Sequence, residues 1–505
     1  MAVIHEDKDR RVVPRWRRFS TTLSLRELGV TKPIAARRLE KEISLEERIR
    51  DWQDNRTFSF AADLVSAAIV HGQEHVAQEA AQFILSASIP GFDAAKSLAN
   101  SVLSNRNLAT AAESLSQGTI VNARNIVHDL RSMLQEDPRN VFLWTDLARA
   151  YETLGQPEQA TRAITNAITM APENRMVLRA ACRLYVHQNE YRTAHDLLRH
   201  SEAVAHDPWV LAAEIACASI AGRTSRLVKK AHSVLEKQRL APFHTSELAI
   251  AVATLELESG GRWARRFLRW SLIDPTENSI AQASWIHRTF GSSYFDDYEI
   301  VPFPPSAEAR AWNLYRAGEW RKSVVEARNW LADQPFSSRP AIMGSYIAAV
   351  TLGDYRESAE IARVGLVSNP KDFMLLNNYA FAAAQSGDLD DAIKHYRRID
   401  PITLSAEQKV PWLATGGLLQ YREGNAIVGR RLYQEALDQA IRHADEKRRS
   451  LAFLNFAIEE TRIGAPQAHA IRREALELYG ATPYPDLVPL VKRLRDYGTT
   501  AAPSP

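Results

Sequence analysis

The apolar positions of this chain recur at helical spacing, and the spacing restarts at a regular interval. Between Val141 and Asn174, the residues Trp144, Leu147, Ala148 and Tyr151 sit at i, i+3, i+4 and i+7, the stripe that one face of an α-helix presents to its neighbours. Gly155 ends that helix, because glycine readily takes the left-handed conformation a helix C-terminus needs. Pro157 suits the first turn of a second helix, where its fixed φ costs little. Ala160, Ile164 and Ala167 make the second stripe, and Pro172 closes the unit. The small side chains of Ala148 and Ala160 let the two helices approach closely.

The closing proline is periodic. Pro138, Pro172, Pro208, Pro242, Pro275, Pro335 and Pro370 are separated by 34, 36, 34, 33, 60 and 35 residues. Proline lacks the N–H that a helix interior requires, so each one stops a helix and starts the next. The spacing predicts an array of helix pairs.

The string Trp144-x2-Leu147-Ala148-x2-Tyr151-x3-Gly155-x4-Ala160-x3-Ile164-x2-Ala167-x4-Pro172 resembles the tetratricopeptide repeat at nearly every signature position. The unit 373–406 is similar to it through Leu376, Tyr379, Ala380, Ala383, Gly387, Leu389, Ala392 and Tyr396. Further matches are 175–208 (Tyr185, Tyr191, Ala194), 304–337 (Gly318, Trp320, Pro335) and 339–372 (Tyr346, Gly353, Tyr355, Pro370), with weaker ones at 209–242, 243–276 and 410–443. The resemblance covers roughly residues 141–443. It implies an all-α fold, a right-handed superhelical solenoid of antiparallel helix pairs that binds a protein or peptide rather than a small-molecule substrate. Pentatricopeptide repeats, which read RNA one base per repeat, are the nearest alternative. Proline closure and the Trp/Gly/Tyr pattern of the first helix favour the tetratricopeptide form.

Two regions break the period. Residues 56–135 have helical periodicity over Phe58–Val70, Val76–Leu85, Ala94–Leu103 and Ile120–Leu134, but no periodic proline. They read as degenerate repeats or a helical cap within 56–140. The wide gap between Pro275 and Pro335 holds an insertion, 291–306, with Tyr294, Phe295, Asp296, Asp297 and Tyr298. Connections in helical arrays are usually two to eight residues. The insertion therefore reads as an aromatic strap over a widened joint, or as a docking loop for a basic or aromatic partner. It divides a first array (141–290) from a second array with C-terminal helices (307–495), ahead of a tail, 496–505, that is disordered by composition.

Composition narrows the class. Charged residues are 24% and hydrophobic residues 45% of the 505, as in a soluble globular protein. Cys182 and Cys217 lie in apolar helical patterns and read as buried thiols. With no long apolar run and no export signal, the expected location is the cytoplasm. The net charge of +3 predicts no polyanion partner, but residues 1–50 hold 13 Lys/Arg against 8 Asp/Glu. That surplus sits in the first segment, 1–55, a basic arm and first helix, with Arg10, Arg11, Arg15, Trp16, Arg17 and Arg18. The arm reads as a tail packing Trp16 on the first helices. The alternative is a contact to nucleic acid, as in a nuclease- or toxin-associated adaptor. A capping box, Ser44-Leu-Glu-Glu47, opens the first helix.

Catalytic signatures are scarce. No Walker loop, GxGxxG, GxSxG or CxxC occurs. His71-Gly-Gln-Glu-His75 fits an HxxEH zinc pattern, but Gly72 falls at an expected turn, which separates the histidines. His195, His200 and His206 are too far apart for one helix face and read as surface residues. Asp388-Leu-Asp390-Asp391 sits at a helix start, where carboxylates complement the macrodipole. Trp263, Arg265, Arg266, Arg269 and Trp270 make a basic-aromatic stretch on a second helix, although Trp270 holds a repeat-core position. No enzyme, metal or cofactor is expected.

The resemblance also implies which positions face the concave groove. These are Arg149 and Glu152; Arg179, Arg183 and His187; Ala213, Cys217 and Ile220; Leu248, Val252 and Leu255; Met343, Ile347 and Val350; and Asn377, Phe381 and Gln385. A groove basic at one end and apolar in the middle implies a partner segment with an acidic end and apolar anchors. The family's carboxylate clamp is absent: Asn378 fits one place, but Met343, Ile347, Pro411 and Thr415 hold the others.

Overall fold

Helix starts recur as regularly as the prolines do. Asn140, Asn174, Asp207 and Asp372 stand just before Val141–Thr153, Arg175–His187, Pro208–Ile220 and Phe373–Ser386, and each side chain accepts from a backbone N–H of the first turn. Such caps satisfy donors that the helix leaves orphaned, at about 1 kcal/mol each. Between paired helices the turn needs a left-handed residue. Gly155 (φ 68°) and Gly387 (φ 91°) supply it, and Asn189 (φ 63°) does so in the pair that lacks the glycine.

A computed structural model describes residues 10–19, 45–70, 73–87, 93–104, 123–291, 294 and 306–497. Among them the regular elements are all helical, with no strand. The chain forms a solenoid of antiparallel helix pairs and divides into two compact units. Of the described residues, the first comprises those within 10–310 together with 333–336, and the second those within 311–332 and 337–497.

In the first unit, helices Leu45–Asp54, Phe58–Val70, Glu74–Ser86 and Asp93–Ser104 surround their own apolar cluster, centred on Trp52, Leu64 and Ile84. A helix over 123–136 precedes four pairs: Val141–Thr153 with Pro157–Met170, Arg175–His187 with Tyr191–His200, Pro208–Ile220 with Val228–Lys237, and Pro242–Ser259 with Ala264–Ser271. Glu277–Phe290 follows as a fifth first helix. One continuous core runs through them, and it includes Val12 and Trp16 from the N-terminal arm and Phe336. Cys182 and Cys217 face each other inside it, sulfur to sulfur 3.0 Å. Their mutual hydrogen bond and burial push the Cys217 thiol well above its usual value.

In the second unit the pairs are Ser338–Ile347 (continued by a π turn to Leu352) with Tyr355–Ser368, Phe373–Ser386 with Leu389–Tyr396, Ala406–Arg422 with Ala426–Arg442, and Glu446–Arg462 with Ala468–Ala481. Val488–Tyr497 ends the described chain. Close packing relies on missing side chains: a Cβ on Gly417 would lie 2.7 Å from the Tyr433 ring, itself buried.

One expectation fails here. His195 is not a surface residue; it is buried, with Nε2 3.0 Å from Glu214. Glu214 also accepts from Ser225, so a carboxylate brought by the next repeat explains the burial of the ring.

Candidate peptide groove of the first unit

The arginine-rich arm lies inside the groove. Residues 10–18 have no helical or strand structure, and alternate residues Arg10, Val12, Pro14 and Trp16 are buried while their neighbours are half-buried. That alternation is the face-switching of an extended chain. The backbone carbonyls are read by side chains of first helices: Gln282 Nε2 donates to the Arg10 carbonyl (2.7 Å), Asn278 Nδ2 to that of Val13 (2.9 Å), and Arg149 Nε to that of Trp16 (3.0 Å). The Phe19 N–H donates to Asp146 (2.7 Å). Arg10 thus sits on the fifth first helix and Phe19 on the first, so the arm runs opposite to the order of the repeats.

Carboxylates meet its guanidinium groups. Arg10 makes a two-pronged pair with Glu308, Nε–Oε1 and Nη2–Oε2 both 3.1 Å, with both side chains buried. Arg10 and Gln282 also exchange a side-chain bond. Arg11 pairs with Glu258 (2.6 Å), and Arg15 and Arg17 share Glu277 and Asp333. Arg18 is half-buried. Trp16, 1% exposed, packs at 5.6 Å on the ring of Phe336. The Arg10 pair is the costly one to break, since losing one partner strands a buried charge. The Arg17–Glu277 pair is on the rim, where such pairs stabilise by less than about 1 kcal/mol.

Residues 347–403, in the second unit, match the tetratricopeptide repeat. The tetratricopeptide match is confined to that stretch. No curated protein matches it in sequence. Solved structures similar to this solenoid include the Cut9–Hcn1 hetero-tetramer of the APC/C (13% identity, TM-score 0.36, 89% of this chain and 92% of that one) and the human IFIT1 dimer with PPP-AAAA (13%, 0.34, 74% and 94%). Yeast Tom70 is another (14%, 0.28, 88% and 96%). Likeness at this level carries no argument about function.

The groove of the first unit is not the open basic surface that the signature positions imply. Arg179 is buried, pairs with Glu247 (2.9 Å), donates to the Trp209 carbonyl and stacks 4.8 Å over the Trp209 ring. Arg183 lies over Phe336 at 5.3 Å. Arg149 spends its donors on the carbonyls of Trp16 and Asp333; burial lowers its pKa, against the opposing pull of Asp333 and Asp146. The expected basic end is therefore neutralised from within, and the charge facing the arm is acidic.

In the second unit the predicted groove residues are also withdrawn from an open surface. Asn377 and Phe381 are buried, Phe381 against Tyr355 at 6.2 Å, and Gln385 accepts from Arg422 (2.7 Å). Of the proposed docking loop, Tyr294 packs half-buried on the first core. Phe295, Asp296, Asp297 and Tyr298 lie outside the described residues, as do Ser44 of the capping box, His71 and Gly72 of the zinc pattern, and the tail from 498. No metal-holding cluster of His, Cys, Asp or Glu occurs among the described residues, and none of their helices is long and apolar enough to cross a membrane.

A cavity of about 270 Å³ opens beside the arm. Arg15, Arg17 and Phe19 form its arm side; Met176, Trp209 and Phe243 are among the groove residues that face them. The residues that sequence reasoning passed over are Asn278, Gln282, Glu277, Glu308 and Asp333. Asn278 and Gln282 stand four apart, on one face of a first helix, and that spacing was the signal available.

Proposed function

We propose that this protein is a non-catalytic scaffold whose first array binds an extended segment of another protein along its inner face. The observation that carries the reading is the reading of three backbone carbonyls, at residues 10, 13 and 16, by Gln282, Asn278 and Arg149. Side-chain bonds to a peptide backbone seat an extended chain largely irrespective of its sequence, while the flanking hollows and charges select it. The occupied groove favours this over nucleic-acid binding by the arm, because Arg10, Arg11, Arg15 and Arg17 already face carboxylates.

The test is a labelled peptide with the sequence of residues 8–20, titrated by fluorescence anisotropy into full-length protein whose own arm is loosened by Trp16→Ala. Saturable one-to-one binding, weakened at least tenfold by Asn278→Ala with Gln282→Ala, is expected. A helical content equal to that of the parent, together with no binding, would sink the reading.

A further inference from the structure

The arm fills this groove incompletely, and what it omits describes the partner. A competitor must first answer the groove's charge. Glu258, Glu277, Glu308 and Asp333 line the path of the arm and are met by its arginines, so a segment without basic residues would leave these carboxylates without their arginines, the buried Glu308 among them. It must also outbid a resident ligand. The arm is tethered to the same chain through residues 20–44, and a tethered ligand of that kind acts at an effective concentration in the millimolar range. An equal copy of the arm presented in trans therefore loses.

The contact available to a partner and unused by the arm is the hollow next to Arg15 and Arg17. Its far wall has an apolar part, from Met176, Trp209 and Phe243, beside Glu247 and Thr276, with the Arg175 and Arg179 guanidinium groups laid on the indole. Trp209 and Phe243 meet edge to face at 5.4 Å within that wall. Arg17 passes this hollow with its side chain 39% exposed and turns instead to Glu277 and Asp333 at the rim. The volume accommodates one large apolar or aromatic side chain, and aromatic contact over a flat indole–guanidinium surface is favourable.

Resting on the scaffold reading above, we infer that the partner is a protein segment, extended and arginine-bearing, with a large aromatic side chain at the register of Arg17. That side chain enters the hollow lined by Trp209 and Phe243 and displaces the arm, which serves as a resident competitor. Release of the arm then depends on the partner's anchor and not on its charge alone.

Two peptides test this against full-length protein with its native arm: the sequence of residues 8–20, and the same sequence carrying tryptophan at the position of Arg17. The anchored peptide is expected to bind about tenfold tighter or more, and to expose the arm to trypsin as it binds. Phe243→Ala in the protein should remove that advantage, bringing the affinities of the two peptides, both measured on that same variant, to within about twofold of each other. Equal affinity of the two peptides, or an advantage that survives both Phe243→Ala and Trp209→Leu, would overturn the inference while the scaffold reading stands. If neither peptide binds even the Trp16→Ala protein, the scaffold reading itself falls. Release of the arm by a single-stranded oligonucleotide as readily as by the anchored peptide would also overturn it, in favour of a nucleic-acid partner.

Discussion

The two units close their first-helix surfaces in different ways. In the first unit an extended strand is held by carbonyl contacts and by arginine–carboxylate pairs, several of them at the rim. In the second, the C-terminal segment converges on one buried carboxylate. Asp486 accepts from the hydroxyls of Tyr315 (2.6 Å) and Tyr346 (2.7 Å) and pairs with Lys447 (2.9 Å), which come from the helices Ala307–Arg316, Ser338–Ile347 and Glu446–Arg462. Arg493 adds bonds to the Val350 carbonyl and the Tyr355 hydroxyl. The contrast is between a plug and a keystone. Many half-exposed contacts along a strand exchange with a rival one at a time, whereas a desolvated charge with three donors from three helices has no partial release.

Breaking the keystone should give the largest effect. Asp486→Ala strands the Lys447 ammonium and the hydroxyls of Tyr315 and Tyr346, and is expected to destabilise the second unit by about 3–5 kcal/mol. Urea denaturation with hydrogen exchange resolved by segment checks this, and a loss below 1 kcal/mol, or an equal loss of protection in the first unit, would remove the contrast. Acid and alkali sharpen the same point. Asp486 is held below its ordinary carboxylate value by Lys447 and the two hydroxyls, which outweigh burial, the largest single influence on it and the opposing one. Its contribution is thus complete above about pH 4 and is lost as pH falls through the lowered value. Burial and Asp486 push the Tyr315 and Tyr346 hydroxyls upward, so their contribution is complete below about pH 10 and fades above it. A flat stability plateau for the second unit between these limits is the expected result. The smallest effect is on the plug. Raising ionic strength to about 1 M, where screening acts over about 3 Å, should speed tryptic cleavage after Arg17 and Arg18 severalfold and leave the C-terminal helix protected. Equal protection of both at every salt concentration would show the arm to be as fixed as the keystone.

The proline period and the stripes around Trp144 and Leu376 were enough to place the helix pairs from 141 to 443, because amphipathic spacing and helix stops act within one or two turns. Much less of the site was legible. Arg149, Arg179 and Arg183 were placed on the inner face by phase, yet their charge was read as free. What cancels it for Arg179 is Glu247, two repeats away in sequence, and what claims Arg149 is a carbonyl of Trp16, 133 residues earlier. His195 was misjudged for the same reason, its partner Glu214 arriving from the following pair.

The amino-acid sequence by itself therefore determined the helices, their pairing and the presence of a basic, tryptophan-bearing arm, since these follow from local propensity, caps and periodicity. Tertiary structure alone decided that the arm lies in the groove, that the groove meets it with acid and amide rather than base, and that a hollow remains beside Arg17. Those outcomes depend on which charges a folded chain brings within 3 Å of one another across hundreds of residues, and no local pattern encodes that distance.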